Sequence, residues 1–141
     1  MTPPIVLIAH GSPDPDWRAP LERVAEVANA RAGSDGPQVV LAYMDFIEPS
    51  LSEVVAELAA RGATEVRVVA AFLSAGGRHL KRDVPRLVAE VDAATAGVRV
   101  HLVPGALGDD AGVIEALAAA ALDRGQSSRS NSASTSARNS G

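Results

Sequence analysis

An open α/β domain built on a four-stranded parallel sheet is the architecture that this 141-residue sequence predicts. Three observations point there. Four short apolar runs alternate with four stretches of helical spacing. The runs are apolar at successive positions, which means burial on both faces, and such strands belong to parallel sheets with a helix layer above and below. Polar residues capable of chemistry follow the runs directly, at the end of the sheet where folds of this kind hold their ligands.

The elements follow in order. Ile5 to Ala9 reads as the first strand, and Pro20 to Arg31 as the first helix, with Leu21, Val24, Ala25 and Ala28 on one face. Val39 to Tyr43 is the second strand. Ser50 to Arg61 is the second helix, with Leu51, Val54, Val55 and Leu58 inward and Gly62 as its terminating glycine. Ser50 and Glu53 have the spacing of a capping box. Val66 to Leu73 is the third strand and Val84 to Ala94 the third helix. Val98 to Val103 is the fourth strand, ended by Pro104, and Ala111 to Leu122 is the fourth helix.

Composition changes at Gly125. Residues 125–141 hold seven Ser, two Arg and two Asn with no branched aliphatic side chain, too little apolar surface to offset the entropy of ordering. The sequence therefore divides into a single three-layer domain over 1–124 and a disordered Ser-rich tail over 125–141. All 17 acidic residues and 11 of the 13 basic ones precede the tail, so the domain carries 11 − 17 = −6.

Several classes are disfavoured. A net charge of −4 and 3% aromatic residues argue against nucleic acid as a partner, since such binding needs a basic face or stacking platforms. No stretch approaches a membrane span, no charged leader precedes the first apolar run, and the expected location is the cytoplasm. With no cysteine, disulfides, thiolate metal sites and thiol nucleophiles are excluded. The phosphate-binding loop and the dinucleotide glycine fingerprint are both absent, so no nucleotide cofactor is expected.

What remains is the rim. His10-Gly11-Ser12 follows the first strand, Asp45 and Glu48 flank the end of the second, and Ser74 to His79, then Asp83, follow the third. Each has a plainer role. A rim histidine can be a hydrogen-bonded loop residue, Glu48 can prepare the second helix, and Asp83 can cap the third. His101 falls inside the fourth strand, where packing on the sheet face is expected. Two histidines with carboxylates on one rim nevertheless make a candidate site. Imidazole and carboxylate without thiolate suit a divalent first-row metal held incompletely, with positions left open. Arg78, Lys81, Arg82 and Arg86 surround His79, either as a solvated helix face or as a positive rim for a polyanionic small molecule.

Taken together, His10-Gly11-Ser12, the segment Ala42-Tyr43-Met44-Asp45-Phe46-Ile47-Glu48-Pro49-Ser50-Leu51, and Phe72 to His79 followed by Asp83-Val84-Pro85 resemble the small class II chelatases. These are the short CbiX-type sirohydrochlorin cobaltochelatases and ferrochelatases. The resemblance covers residues 4 to 122. It implies a chelatase-like (flavodoxin-like) open sheet and ATP-independent insertion of a divalent metal into sirohydrochlorin, a polycarboxylate tetrapyrrole. The metal is substrate, Co2+ first, Fe2+ next and Ni2+ a further option, within cobalamin or sirohaem biosynthesis. It also implies a homodimer. His10 and His79 map onto the family's metal-binding, proton-accepting histidines. Asp45 stands where the family often has Glu, with Glu48 as the alternative carboxylate. Arg78, Arg82 and Ser12 are the expected substrate-binding residues. A non-catalytic metal or tetrapyrrole carrier on the same fold is the competing reading, and an interaction module that needs no rim histidines is a third.

Overall fold

The computed structural model describes residues 2–138, with side chains through residue 127. Strands β1 (Ile5–Ala9), β2 (Val39–Tyr43), β3 (Glu65–Ala70) and β4 (Arg99–Ala106) form one sheet, all parallel, in the order β2-β1-β3-β4. Helices α1 (Pro15–Ala32), α2 (Leu51–Ala60), α3 (Val84–Ala94) and α4 (Ala111–Arg138) alternate with them. The chain leaves β1 toward β2 on one side and returns to β3 on the other. The end of β1 is thus the point where strand order reverses, the usual ligand position in an open sheet.

The core is weighted to one face of the sheet. Val6 and Ile8 of β1, Val66 and Val68 of β3, and Val100 of β4 pack against Leu51, Val54, Val55 and Leu58 of α2 and Val84, Val88 and Val91 of α3. α1 lies over the other face at β2, consistent with right-handed crossovers, and none of its own residues is buried. It is tied to edge strand β2 by Asn29, whose side chain donates to the Val39 carbonyl (2.9 Å) and accepts from the Val39 N–H (2.7 Å).

Local chemistry explains where the boundaries fall. α2 starts at the capping box expected from the sequence: Ser50 Oγ accepts from Glu53 N, and Glu53 Oε2 accepts from Ser50 N. α1 begins five residues before the expected Pro20. Asp14 caps it by accepting from Asp16 N at 2.9 Å, and Pro15 occupies its first turn, so Pro20 is carried inside the helix. Val24, expected inward, is 46% exposed. β3 stops at Ala70 rather than Leu73, and β4 runs through Pro104 to Ala106. β4 is an edge strand, where a residue without an N–H is tolerated, and its register with β3 shifts between Val68 and Ala70.

Between β3 and α3 a single π-helical turn, His79–Asp83, closes with the Val84 N–H donating to the His79 carbonyl. The sequence gives no sign of it. α4 continues without a break to Arg138, across the expected domain boundary at residue 124. It contains no proline, and each residue added to an existing helix gains a hydrogen bond. Side chains beyond residue 127, and so most of the expected tail, lie outside the described residues. α4 does not cover the sheet: Ile114, Leu117 and Leu122 are 53%, 50% and 67% exposed. No helix among the described residues is long and apolar enough to cross a membrane.

Candidate functional site

The rim at the carboxyl ends of the strands is assembled by three loops. The loop after β1 carries His10. Its neighbour after β2 is pinned beneath it, with Met44 N–H donating to the Ala9 carbonyl at 2.9 Å and Asp45 N–H to the His10 carbonyl at 3.0 Å. Gly11 has a positive φ of 103° and lies so close to the Asp45 carbonyl that no side chain fits between them. The third loop follows β3 and ends in the π-helical turn that begins at His79. π-turns of this kind concentrate at functional sites.

These loops bring His10 and His79 together, with ring centroids 4.7 Å apart and planes at 80°. His10 Nδ1 is 3.3 Å from the Gly11 carbonyl oxygen. A carbonyl can only accept, so Nδ1 carries the proton and the Nε2 lone pair is free. His79 Nδ1 lies 3.1 Å from Asp83 Oδ2, four residues on, which fixes that ring in the same tautomer. Two imidazoles thus offer Nε2 lone pairs from adjacent positions, each oriented by an acceptor on the other nitrogen.

The remaining expected residues are placed differently. Asp45 is exposed, and its Oδ1 accepts from the Phe46 N–H at 2.9 Å, so the carboxylate serves its own turn. Among the described residues no set of three or more His, Asp or Glu side chains is grouped to hold a metal. The histidine pair therefore stands as a partial site, and neither Asp45 nor Glu48 is brought to it. Ser12 Oγ accepts from Asp14 N at 3.2 Å, a turn-forming role. Arg78, Lys81 and Arg82 are exposed and form no ion pair among the described residues, leaving three cations beside His79. Arg18 lies instead near Tyr43, whose phenol is pushed upward by burial and by Glu22.

Two rim features escape a reading of the sequence. Asp83 fits an N-cap by position but makes no capping bond, and it holds His79 instead. Its separation of four residues from His79 was the available signal, effective only once the segment is helical. Phe46 is the second. Among the described residues it is the non-glycine residue with positive φ, at 70°, a conformation that costs a bulky side chain on the order of 1–3 kcal/mol. Its ring centroid lies 5.6 Å from that of His10. No pattern in the sequence announces a left-handed phenylalanine.

His101 sits on the sheet face opposite α2 and α3, as expected, with Nε2 2.8 Å from Glu65 Oε1. A separate cavity of about 370 Å³ opens at the far end of the sheet beside Pro3, Gln38, Arg61 and Glu65, remote from both rim histidines.

This geometry has counterparts. A CbiX protein from Marinobacter aquaeolei VT8 superposes with a TM-score of 0.75 at 30% identity, covering 89% of this chain and 97% of that one. The sirohydrochlorin chelatase SirB from Bacillus subtilis subspecies spizizenii, in complex with cobalt, shares the fold with a TM-score of 0.63 at 22% identity over 72% of this chain and 42% of that one. In sequence, a sirohydrochlorin cobaltochelatase of Saccharolobus islandicus is 36% identical over 84 residues, which is 60% of this chain and 62% of that protein. The protein of the same name from Methanopyrus kandleri is 36% identical over 84 residues, 60% of this chain and 57% of that protein. The match thus spans less than two thirds of these relatives' own length. The CbiX family model itself matches residues 4–123, from the start of the sheet into α4 and across every loop that builds the histidine rim, and the chain belongs to the CbiX family.

Proposed function

We propose that this protein is a sirohydrochlorin chelatase, inserting a divalent metal into sirohydrochlorin without ATP, with Co2+ as first metal and Fe2+ next, in cobalamin or sirohaem biosynthesis. The observation that carries the reading is the His10–His79 pair at the strand-order switch point, with both Nε2 lone pairs free. Relatives named sirohydrochlorin cobaltochelatase and a cobalt-bound structural neighbour support it.

The chemistry fits a partial site. The macrocycle exchanges two pyrrole N–H protons for one M2+, so the reaction releases two protons and requires the metal to leave the protein. Two imidazoles bind the metal substrate incompletely, which leaves coordination positions for pyrrole nitrogens and allows displacement. An imidazole that has given up the metal has a lone pair with which to accept a proton. In this proposal His10 and His79 hold the metal and take the protons. Asp45 assists from the neighbouring loop, and Arg78 and Arg82, with Ser12, meet the substrate carboxylates through charge-assisted bonds. Residues 1–124 form the chelatase unit, and 125–141 take no part in the chemistry.

The rim is an open surface on one wall, and a planar macrocycle needs two. The exposed apolar side chains Val24 and Val27 of α1 and Ile114, Leu117 and Leu122 of α4 support a homodimer that supplies the second wall. We place the reaction in the cytoplasm, where a cysteine-free chain forgoes nothing.

The test is anaerobic visible spectroscopy of sirohydrochlorin with Co2+, then Fe2+ and Ni2+, using wild type, His10→Ala and His79→Ala. Multiple turnovers in wild type, lost in both variants, are expected. Conversion that stops at one equivalent per site supports the carrier reading instead, and full activity in both variants removes the histidine pair from the mechanism.

A further inference from the structure

We propose that Phe46 and Leu73 form an apolar cradle on either side of the histidine pair that holds the face of the macrocycle, an inference that rests on the chelatase reading. β1 lies between β2 and β3, so the loops bearing Phe46 and Leu73 flank His10 from opposite sides. Both side chains are turned to solvent, 65% and 72% exposed, while the other large apolar side chains of these two loops, Met44, Ile47 and Phe72, are partly buried.

Neither exposure is slack. Phe46 is held in its left-handed conformation by the Asp45 carboxylate on its N–H, and the Asp45 backbone is pinned by His10 and by the close approach of Gly11. Leu73 is fixed in a parallel way. Gly108 donates its N–H to the Phe72 carbonyl at 3.0 Å and lies where any side chain would run into the Leu73 backbone. Each exposed apolar group is thus presented by a loop clamped with a glycine from the adjacent loop. A chain that relaxed Phe46 to an ordinary backbone would lose the ring's position 5.6 Å from His10.

The pattern suits one ligand chemistry: a flat conjugated disc with an anionic periphery. Phe46 and Leu73 meet the disc, Arg78 and Arg82 meet the carboxylates, and the imidazoles lie under the centre. An aromatic ring against a π-face is a strong sequence-tolerant contact when water is excluded.

The decisive variant is Phe46→Gly, because glycine accepts the positive φ without strain and removes the ring while keeping the loop. Leu73→Ala is its partner and Phe46→Tyr the control that restores a ring. Two titrations are read on each: metal-free sirohydrochlorin by its absorption and emission, and Co2+ alone by calorimetry. The expected result is a tenfold to hundredfold weaker affinity for the metal-free macrocycle in Phe46→Gly, a smaller loss in Leu73→Ala, recovery in Phe46→Tyr and unchanged Co2+ affinity in all. Wild-type macrocycle affinity retained in both Phe46→Gly and Leu73→Ala overturns the cradle while leaving the chelatase reading intact. Equal loss of Co2+ affinity also overturns it, since the ring then acts through His10. A wild type that neither binds nor metallates sirohydrochlorin overturns both.

Discussion

Asp83 grips His79 from four residues away, Oδ2 to Nδ1 at 3.1 Å, across a turn that closes by an i to i+5 hydrogen bond. The wider turn sets the carboxylate beside the ring instead of at the helix cap, and the ring centroid lies 4.7 Å from that of His10. Replacing a carboxylate that orients a metal-binding histidine characteristically weakens metal affinity about 10- to 100-fold. Asp83→Asn is therefore expected to lower Co2+ affinity by that factor with little change in urea midpoint. Calorimetry beside a denaturation curve checks it, and undiminished affinity would sink the positioning role.

Gly11 has no room for a methyl group. Its φ of 103° and the adjacent Asp45 carbonyl oppose any side chain together. Gly11→Ala is expected to destabilise the fold by more than about 1 kcal/mol and to displace the Asp45–Phe46 turn. A urea titration reads the first effect and tyrosine-ring NMR shifts around Tyr43 the second. A variant as stable as wild type would show that the two loops separate freely.

Glu65 provides an acid-sensitive contact on the open sheet face. The hydrogen bond from His101 comes first in holding its carboxyl below the ordinary value of 4.5, with Arg67 adding to it against partial burial. A carboxyl depressed in the folded state contributes stability that is complete above its unfolded pKa and lost as pH falls through the folded one. The Glu65 contribution is thus expected to disappear as pH falls below about 4.5, and Glu65→Gln to be less stable than wild type at neutral pH, with a flatter acid profile that meets the wild-type one at low pH. Urea midpoints from pH 7 down to pH 3 decide it, and parallel profiles for variant and wild type would contradict the assignment.

Ile8 and Leu117 are chemically similar and structurally opposite, 0% and 50% exposed. Ile8→Ala is expected to cost about 2–5 kcal/mol, the range for a large aliphatic removed from a packed core. Leu117→Glu is expected to leave the monomer fold intact and to shift a dimer toward monomer in light scattering, with activity falling in step. A Leu117→Glu protein that remains dimeric moves the interface away from α4.

Much of the fold was legible because burial dictates it. Ile5 to Ala9 could only be a doubly covered strand, and Ser50 with Glu53 could only cap a helix. Local signals misled where context outweighs propensity. Pro104 ends a central strand but not an edge strand, and Pro20 resembles a helix start until Asp14 and Pro15 are seen to supply one. Ile114, Leu117 and Leu122 have core spacing, yet the described chain offers no surface that covers them. At the rim, His10 and His79 were legible from their positions just after the first and third strands. The service of Asp83 to His79 depends on a π-turn, and that of Asp45 to Phe46 on a left-handed residue. Neither conformation has a sequence signature.

The weighting of the core to one face also sets a division of timescales. Every large side chain that is fully buried lies between the sheet and α2 or α3. Backbone amides of β1 and β3 are expected to exchange with solvent through global unfolding, and those of α1 and α4 through local opening, which hydrogen exchange reads directly. His10 is anchored on the slow part, at the end of β1, and His79 one loop beyond β3. Local opening of α1 or α4 is therefore expected to leave the spacing of the two imidazoles unchanged.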